Sequence, residues 1–209
     1  MSLFLISSQL LFIRPSYSII EFNKKHFSQS YLSPKLKDNI LNNDNMPFLY
    51  INNTLKKNIY SIEHIYPISY LITDNSKNDM HNLIKTSKDL NNARGNYKYI
   101  DLEEKNYNNK NWIELDNFNY VNHNKKLFIP NNNSKGLISR AILYINDIYD
   151  VEIENIINID TLIKWYISYP PYNDEKYHNK YINKIQNTDN KFISNYKYYR
   201  TKIYKIINN

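Results

Sequence analysis

Three short polar blocks hold the residues with the most chemical potential. Glu63-His64-Ile65-Tyr66-Pro67 and Asp79-Met80-His81-Asn82-Leu83 precede Asn91-Asn92-Ala93-Arg94-Gly95-Asn96. Carboxylate, imidazole, amide and guanidinium groups therefore fall within about one supersecondary unit. Hydrolysis of a phosphodiester needs a base to activate water and a cation to neutralise the phosphoryl and leaving oxygens. His64 could supply the base and Glu63 could hold the cation. Neighbouring strand residues point to opposite faces, so both reach one site only if the strand ends or twists at Glu63, and Pro67 sits close enough to enforce this. By itself Glu-His is a weak motif, more often a solvated pair on a strand edge than a catalytic one.

The elements that must position these residues follow from the local pattern. Residues 58–66 are rich in Ile and Tyr and predict a strand ended by Pro67, followed by a polar loop over 73–78 and a second strand around 82–85. Thr86-Ser87-Lys88-Asp89 has the spacing of a helix start, which places 90–96 on a helix capped by Gly95. The order is strand, loop, strand, helix. A short helix is expected over 34–43. Leu137, Ala141, Tyr144, Ile145 and Ile148 repeat at helical spacing, with Ser134 as the expected N-cap. Asp160 is the expected cap of a further helix ended by Pro170 and Pro171, and another spans 174–185. The chain has only two glycines, Gly95 and Gly136, and each is expected where the backbone has no room for a Cβ or needs a special turn.

Composition narrows the chemistry. The 209 residues suffice for one domain with a full core. A net charge of +7 favours an anionic partner, nucleic acid or an anionic membrane surface. Without cysteine there is no disulfide, thiol nucleophile or Cys-ligated zinc, so a metal must rest on His, carboxylate or amide ligands, a set that suits magnesium, manganese or calcium. Asn-rich stretches at 106–111 and 131–133 read as solvated loops. The apolar run 2–13 is too short to span a bilayer. No basic residue precedes it and Arg14 follows, a poor arrangement for an export signal, so a secreted or periplasmic-like location and an intracellular one both stay open. Lys135 and Arg140 are candidates for nucleic-acid contact, or else exposed basic residues near a helix start. Tyr144, Trp165 and Tyr166 are expected in the core; His26, His123 and His178 are expected on the surface.

The blocks around Glu63-His64, Asp79 to Leu83, Leu90 to Asn96, and Phe128-Ile129-Pro130 through Lys135-Gly136 to Arg140-Ala141 and Tyr144 together resemble the endonuclease I family of ββα-metal, or His-Me finger, nucleases. The likeness continues through Trp165, Glu175, Asn179 and Gln186 to Phe192. It implies an α+β fold with a ββα-metal finger core surrounded by helices, and an arm over 1–54, a nuclease domain over 55–193 and a basic tail over 194–209. It also implies His64 as general base, Glu63 and Asn91 as ligands of one divalent ion, usually Mg2+ (Mn2+ or Ca2+ as alternatives), and Arg94 near the phosphate. His81, Asn82 and Asn96 would brace the site. The expected enzyme is a monomeric endonuclease with little sequence preference, acting on DNA and sometimes RNA to leave 5′-phosphates. The chain departs from the family pattern at Tyr66, where Trp is usual, at His178, where Arg is usual, and in the late block Gln186 to Phe192, which lacks a glycine, an arginine and a proline. A second class stays open, a basic nucleic-acid-binding or packaging protein on a degenerate nuclease fold, which would not need Glu63, His64 and Asn91 to hold a metal.

Overall fold

The computed structural model describes residues 34–43, 46–51, 60–105 and 111–208. The expectations for the run 2–13, for His26 and for 106–110 fall outside the described residues. The fold is α+β. Among the described residues the order is α1 (Pro34–Leu41), β1 (Tyr60–His64), α2 (Asp74–Asn78), β2 (Leu83–Ser87), α3 (Lys88–Arg94), β3 (Lys98–Tyr99), β4 (Ile113–Leu115), β5 (Asn119–Asn122), β6 (Leu127–Ile129), α4 (Asn132–Tyr149), α5 (Ile159–Ser168), α6 (Asn173–Gln186), α7 (Lys191–Ser194) and α8 (Tyr196–Asn208).

β1 and β2 pair antiparallel, with Glu63 opposite Ile84 and His64 opposite Leu83. α3 follows β2 directly. Its N-cap is Ser87, whose side chain accepts from Leu90 N, because the Thr86 hydroxyl donates instead to the Leu49 carbonyl at 2.7 Å. Gly95 ends the helix at φ +54°, a backbone conformation that a Cβ disfavours. The stretch expected as a loop over 73–78 contains the single-turn helix α2. The Thr73 side chain accepts from Ser76 N at its start, and the Asn78 amide donates to the Asp74 carbonyl near its end.

A second sheet of order β3-β6-β5-β4 has no counterpart in the sequence reading. Its strands are two to four residues long, too short for period-two alternation to register, and β5 begins and ends on asparagine. Those asparagines are structural. Asn119 is fully buried, donating to the Tyr50 and Asp116 carbonyls and accepting from Asn131 N. Asn131, expected in a solvated loop, is the buried N-cap of α4: its Oδ1 accepts from Ser134 N and the Ser134 hydroxyl. Ser134 sits inside the first turn, where its hydroxyl accepts from Tyr50 N. At α5 the cap is Asn158 rather than Asp160.

α4 runs through the centre with most of its side chains buried, and α5 packs along it. Gly136 lies where α4 meets the end of α5. A Cβ there would sit 2.4 Å from the Tyr169 carbonyl oxygen, so a side chain would force the two helices apart. Tyr144, Trp165 and Tyr166 are in the core as expected, each at most 2 % exposed. The expected basic tail is α8, and its Tyr199 and Ile203 belong to the same core cluster as Trp165 and Phe192. His178, expected on the surface, is buried on α6 with no partner for Nε2.

Candidate active site

β1 delivers Glu63 and His64 to different surroundings, as strand alternation requires. Glu63 points into the interior. Its Oε1 takes the Arg94 guanidinium at 2.9 Å and the Tyr50 hydroxyl at 3.2 Å, and the Tyr50 oxygen lies 2.5 Å from that of Tyr99. Burial raises the Glu63 carboxyl to about 7, outweighing the opposing pull of Arg94 and of the Tyr50 hydrogen bond. His64 closes the strand and is half-buried against α2, with Nε2 2.9 Å from the Lys77 carbonyl oxygen. A carbonyl can only accept, so Nε2 carries the hydrogen and Nδ1 keeps the lone pair. Burial also lowers the His64 pKa, against the effect of that hydrogen bond, so the ring is neutral at pH 7.

α3 covers the Glu63 face of β1. The Asn91 amide nitrogen donates to the Ser61 hydroxyl and, at 3.1 Å, to the Ile62 carbonyl, which fixes the amide and leaves Oδ1 as its uncommitted end. One turn later Arg94 is 1 % exposed. Its Nη1 donates to the carbonyls of His64 and Gly95 and its Nη2 to that of Ile65, while the guanidinium lies over the Tyr99 ring. The resemblance implies Arg94 near the phosphate; in the structure its guanidinium faces inward. Its two terminal nitrogens are used inside the protein, where they hold the Glu63 carboxylate and the end of β1 against α3, while Nε is buried without a partner.

Behind the strands, Asn82 clasps the backbone of Tyr66, accepting from its N–H at 2.7 Å and donating to its carbonyl at 2.9 Å. His81 packs against the Tyr144 ring, with centroids 4.3 Å apart and planes tilted by 57°, and its Nε2 lies 3.3 Å from the Thr188 carbonyl. Asp79, which the sequence reading quoted without a role, is a hub accepting from His81 N, the Tyr144 and Tyr149 hydroxyls and the Gln186 amide. The late block departs from the family pattern yet is built into this frame, with Asn190 bridging Asn179 and the Arg140 carbonyl. Asn96 is exposed beyond the end of α3.

Lys135 and Arg140 are elsewhere and internal. Lys135 Nζ meets Asp101 at 2.7 Å, and Arg140 makes a two-pronged pair with Glu175 at 2.5 and 2.6 Å. Both are buried, so their charges are neutralised by carboxylates instead of being offered to phosphate. Tyr50 and Tyr99 are the site residues the sequence reading missed. Neither lies in a recognisable block, and only the folded chain brings them to Glu63.

Residues 37–197 match the family described as Endonuclease I. The chain belongs to the endonuclease I family. Membership makes it a nuclease domain with nucleic acid as its substrate. No protein of curated function matches it. The matched span begins within α1, upstream of the expected boundary at 55, and takes in Tyr50; it ends at the second residue of α8.

The donors at the site fit a hard cation. Among the described residues no group of three or more His, Cys, Asp or Glu could hold a metal. Glu63 and Asn91 offer one carboxylate and one amide oxygen, the ligand type magnesium takes, and magnesium keeps several of its waters, so two protein oxygens suffice. No helix of the described residues is long and apolar enough to cross a membrane.

Proposed function

We propose that the chain is a divalent-cation-dependent endonuclease of low sequence preference. It cleaves DNA, with RNA as a second substrate to test, and leaves 5′-phosphate and 3′-hydroxyl ends. β1, β2 and α3 form the ββα finger of its site. The observation that carries this reading is the state of His64, a neutral ring at the end of β1 whose Nε2 hydrogen is committed to the Lys77 carbonyl. Its Nδ1 lone pair is the base that takes a proton from the attacking water, a role contributing about 10²- to 10⁴-fold.

Glu63 and Asn91 would hold the cation. Both contacts to the Glu63 carboxylate fall on Oε1, leaving Oε2 for a metal, and Asn91 contributes Oδ1. A magnesium ion, or manganese or calcium in its place, supplies charge neutralisation at the phosphoryl and leaving oxygens when bound. With the Glu63 carboxyl near 7, protons compete for the same oxygen, so cation affinity rises as pH increases through neutrality. Arg94, Tyr50 and Tyr99 are positioning residues: they hold Glu63 and the end of β1 so that its last two side chains keep their separate directions. A site that engages phosphate has no means of reading bases, hence the low sequence preference.

Plasmid nicking in magnesium against EDTA tests the proposal, together with His64→Ala. Cleavage should require the cation and fall at least about 100-fold in the variant while cation and DNA binding persist, since the substitution removes a base and not a ligand. Nicking in EDTA, or near-normal turnover by His64→Ala, would overturn the reading. A protein that binds DNA but never cuts it would be the packaging alternative.

A further inference from the structure

α8 (Tyr196–Asn208) divides sharply by face. At 100° per residue, Tyr196, Tyr199, Ile203, Ile206 and Ile207 fall on one arc, and these residues pack against the core. The opposite arc is Lys197, Thr201 and Lys205 along its middle, Arg200 and Tyr204 on one flank, Tyr198 and Lys202 on the other. Tyr198 is 62 % and Tyr204 55 % exposed. From Lys191 to the last residue there is no acid. Among the described residues Lys197, Lys202 and Lys205 form no ion pair, unlike Lys191, which pairs with Asp147 at 2.7 Å.

Although Lys205 in the last turn suits the helix dipole, the start of this face and its like-charge pairs are unfavourable in the isolated protein. Lys197 lies in the first turn, where a cation opposes the helix dipole, and the pairs Lys197/Arg200 and Lys202/Lys205 set like charges three residues apart. A polyanion along the helix relieves both. The exposed tyrosine rings select among polyanions, because unpaired bases can stack on an aromatic side chain and paired ones cannot. The match to the endonuclease I family ends at residue 197, so the outer face of α8 is built almost wholly from residues beyond the matched span.

We infer that the outer face of α8 is an accessory site for single-stranded nucleic acid, separate from the β1/α3 site, gripping phosphates with Lys197, Lys202 and Lys205 and stacking bases on Tyr198 and Tyr204. The choice of occupant rests on the nuclease reading. The site would hold a displaced or unpaired strand while cleavage proceeds elsewhere, raising the time one molecule stays on one polymer.

The test uses the full chain in EDTA, so binding is read without turnover. Fluorescence anisotropy over a salt series is measured with a thymidine homopolymer and a duplex of equal length. Replacing the three lysines together (Lys197→Gln, Lys202→Gln, Lys205→Gln) should reduce the single-strand salt slope by about 2, at roughly 0.7 per cation removed. Tyr198→Ala with Tyr204→Ala should weaken single-strand binding by about 5- to 100-fold for each stacked base and leave the duplex much less affected. Melting temperatures confirm that the variants are folded. An unchanged slope in the folded lysine variant overturns the proposal. So does tight binding of the unsubstituted protein to anionic phospholipid vesicles with no lysine-dependent binding of the oligonucleotide. If plasmid nicking fails but the slope still falls, the nuclease reading is lost and the α8 site stands.

Discussion

The interior and the outer face of α8 use the same residue types to opposite ends. Inside, Lys85, Arg94, Lys135 and Arg140 are each at most 3 % exposed. Lys85 donates to the Leu41 and Asn43 carbonyls, Arg94 ties Glu63 to the end of β1, Lys135 meets Asp101, and Arg140 grips Glu175. On α8 three lysines stand without a carboxylate partner among the described residues. A net charge of +7 therefore overstates neither set and describes neither. What a cation does depends on whether a carboxylate or carbonyl meets it within the fold, and among the described residues no carboxylate pairs with Lys197, Lys202 or Lys205.

The comparison breaks hardest at Arg140. Arg140→Ala leaves the Glu175 carboxylate buried without its partner, which costs about 3–5 kcal/mol, while replacing both (Arg140→Met with Glu175→Leu) should restore most of that stability. Chemical denaturation of the three proteins decides the matter. A single variant within about 1 kcal/mol of the parent would mean water reaches Glu175 and the pair is not truly internal.

Next in size is the effect of acid on the buried histidines. His178 lies in a small cavity with His81, and burial, followed by the nearness of His81, depresses its pKa to about 3. The unfolded chain takes up this proton near pH 6.5 and the folded chain does not, so folded stability falls as pH drops from about 6.5 toward 3 and levels off below. At pH 4.5 the two-unit window corresponds to roughly 2–3 kcal/mol. His178→Gln should flatten this part of the stability profile. Equal losses in both proteins between pH 7 and 4.5 would assign the acid sensitivity to other groups.

How far the site could be read from the sequence follows from the range of the forces involved. Strand, strand and helix around Glu63, His64 and Asn91 were legible because each is set by local signals, Pro67, the Ser87 cap and Gly95. Within the block 86–89 the cap is Ser87, since the Thr86 hydroxyl is taken by the distant Leu49 carbonyl. Tyr50, Tyr99 and the inward turn of Arg94 were not legible. They depend on contacts between residues tens of positions apart, and a buried arginine looks the same in sequence as one facing phosphate. The second sheet was hidden for a different reason: its β5 is anchored by the buried Asn119 amide, which donates to the Tyr50 and Asp116 carbonyls and accepts from the Asn131 backbone N–H, in a chain where asparagine is too common to stand out.

The smallest predicted effect has the opposite sign from the first. Lys197 sits in the first turn of α8, where its charge meets the positive end of the helix dipole and that of Arg200 three residues on. Lys197→Glu turns both interactions favourable. Thermal or denaturant melts at low ionic strength should show a gain of about 0.3–1 kcal/mol that fades as salt is added. A buried cation is thus costly to remove, whereas an exposed one lowers stability by staying. If Lys197→Glu destabilises the fold instead, Lys197 is making a favourable contact within the protein, and the outer face of α8 is a structural surface rather than one held ready for an anion.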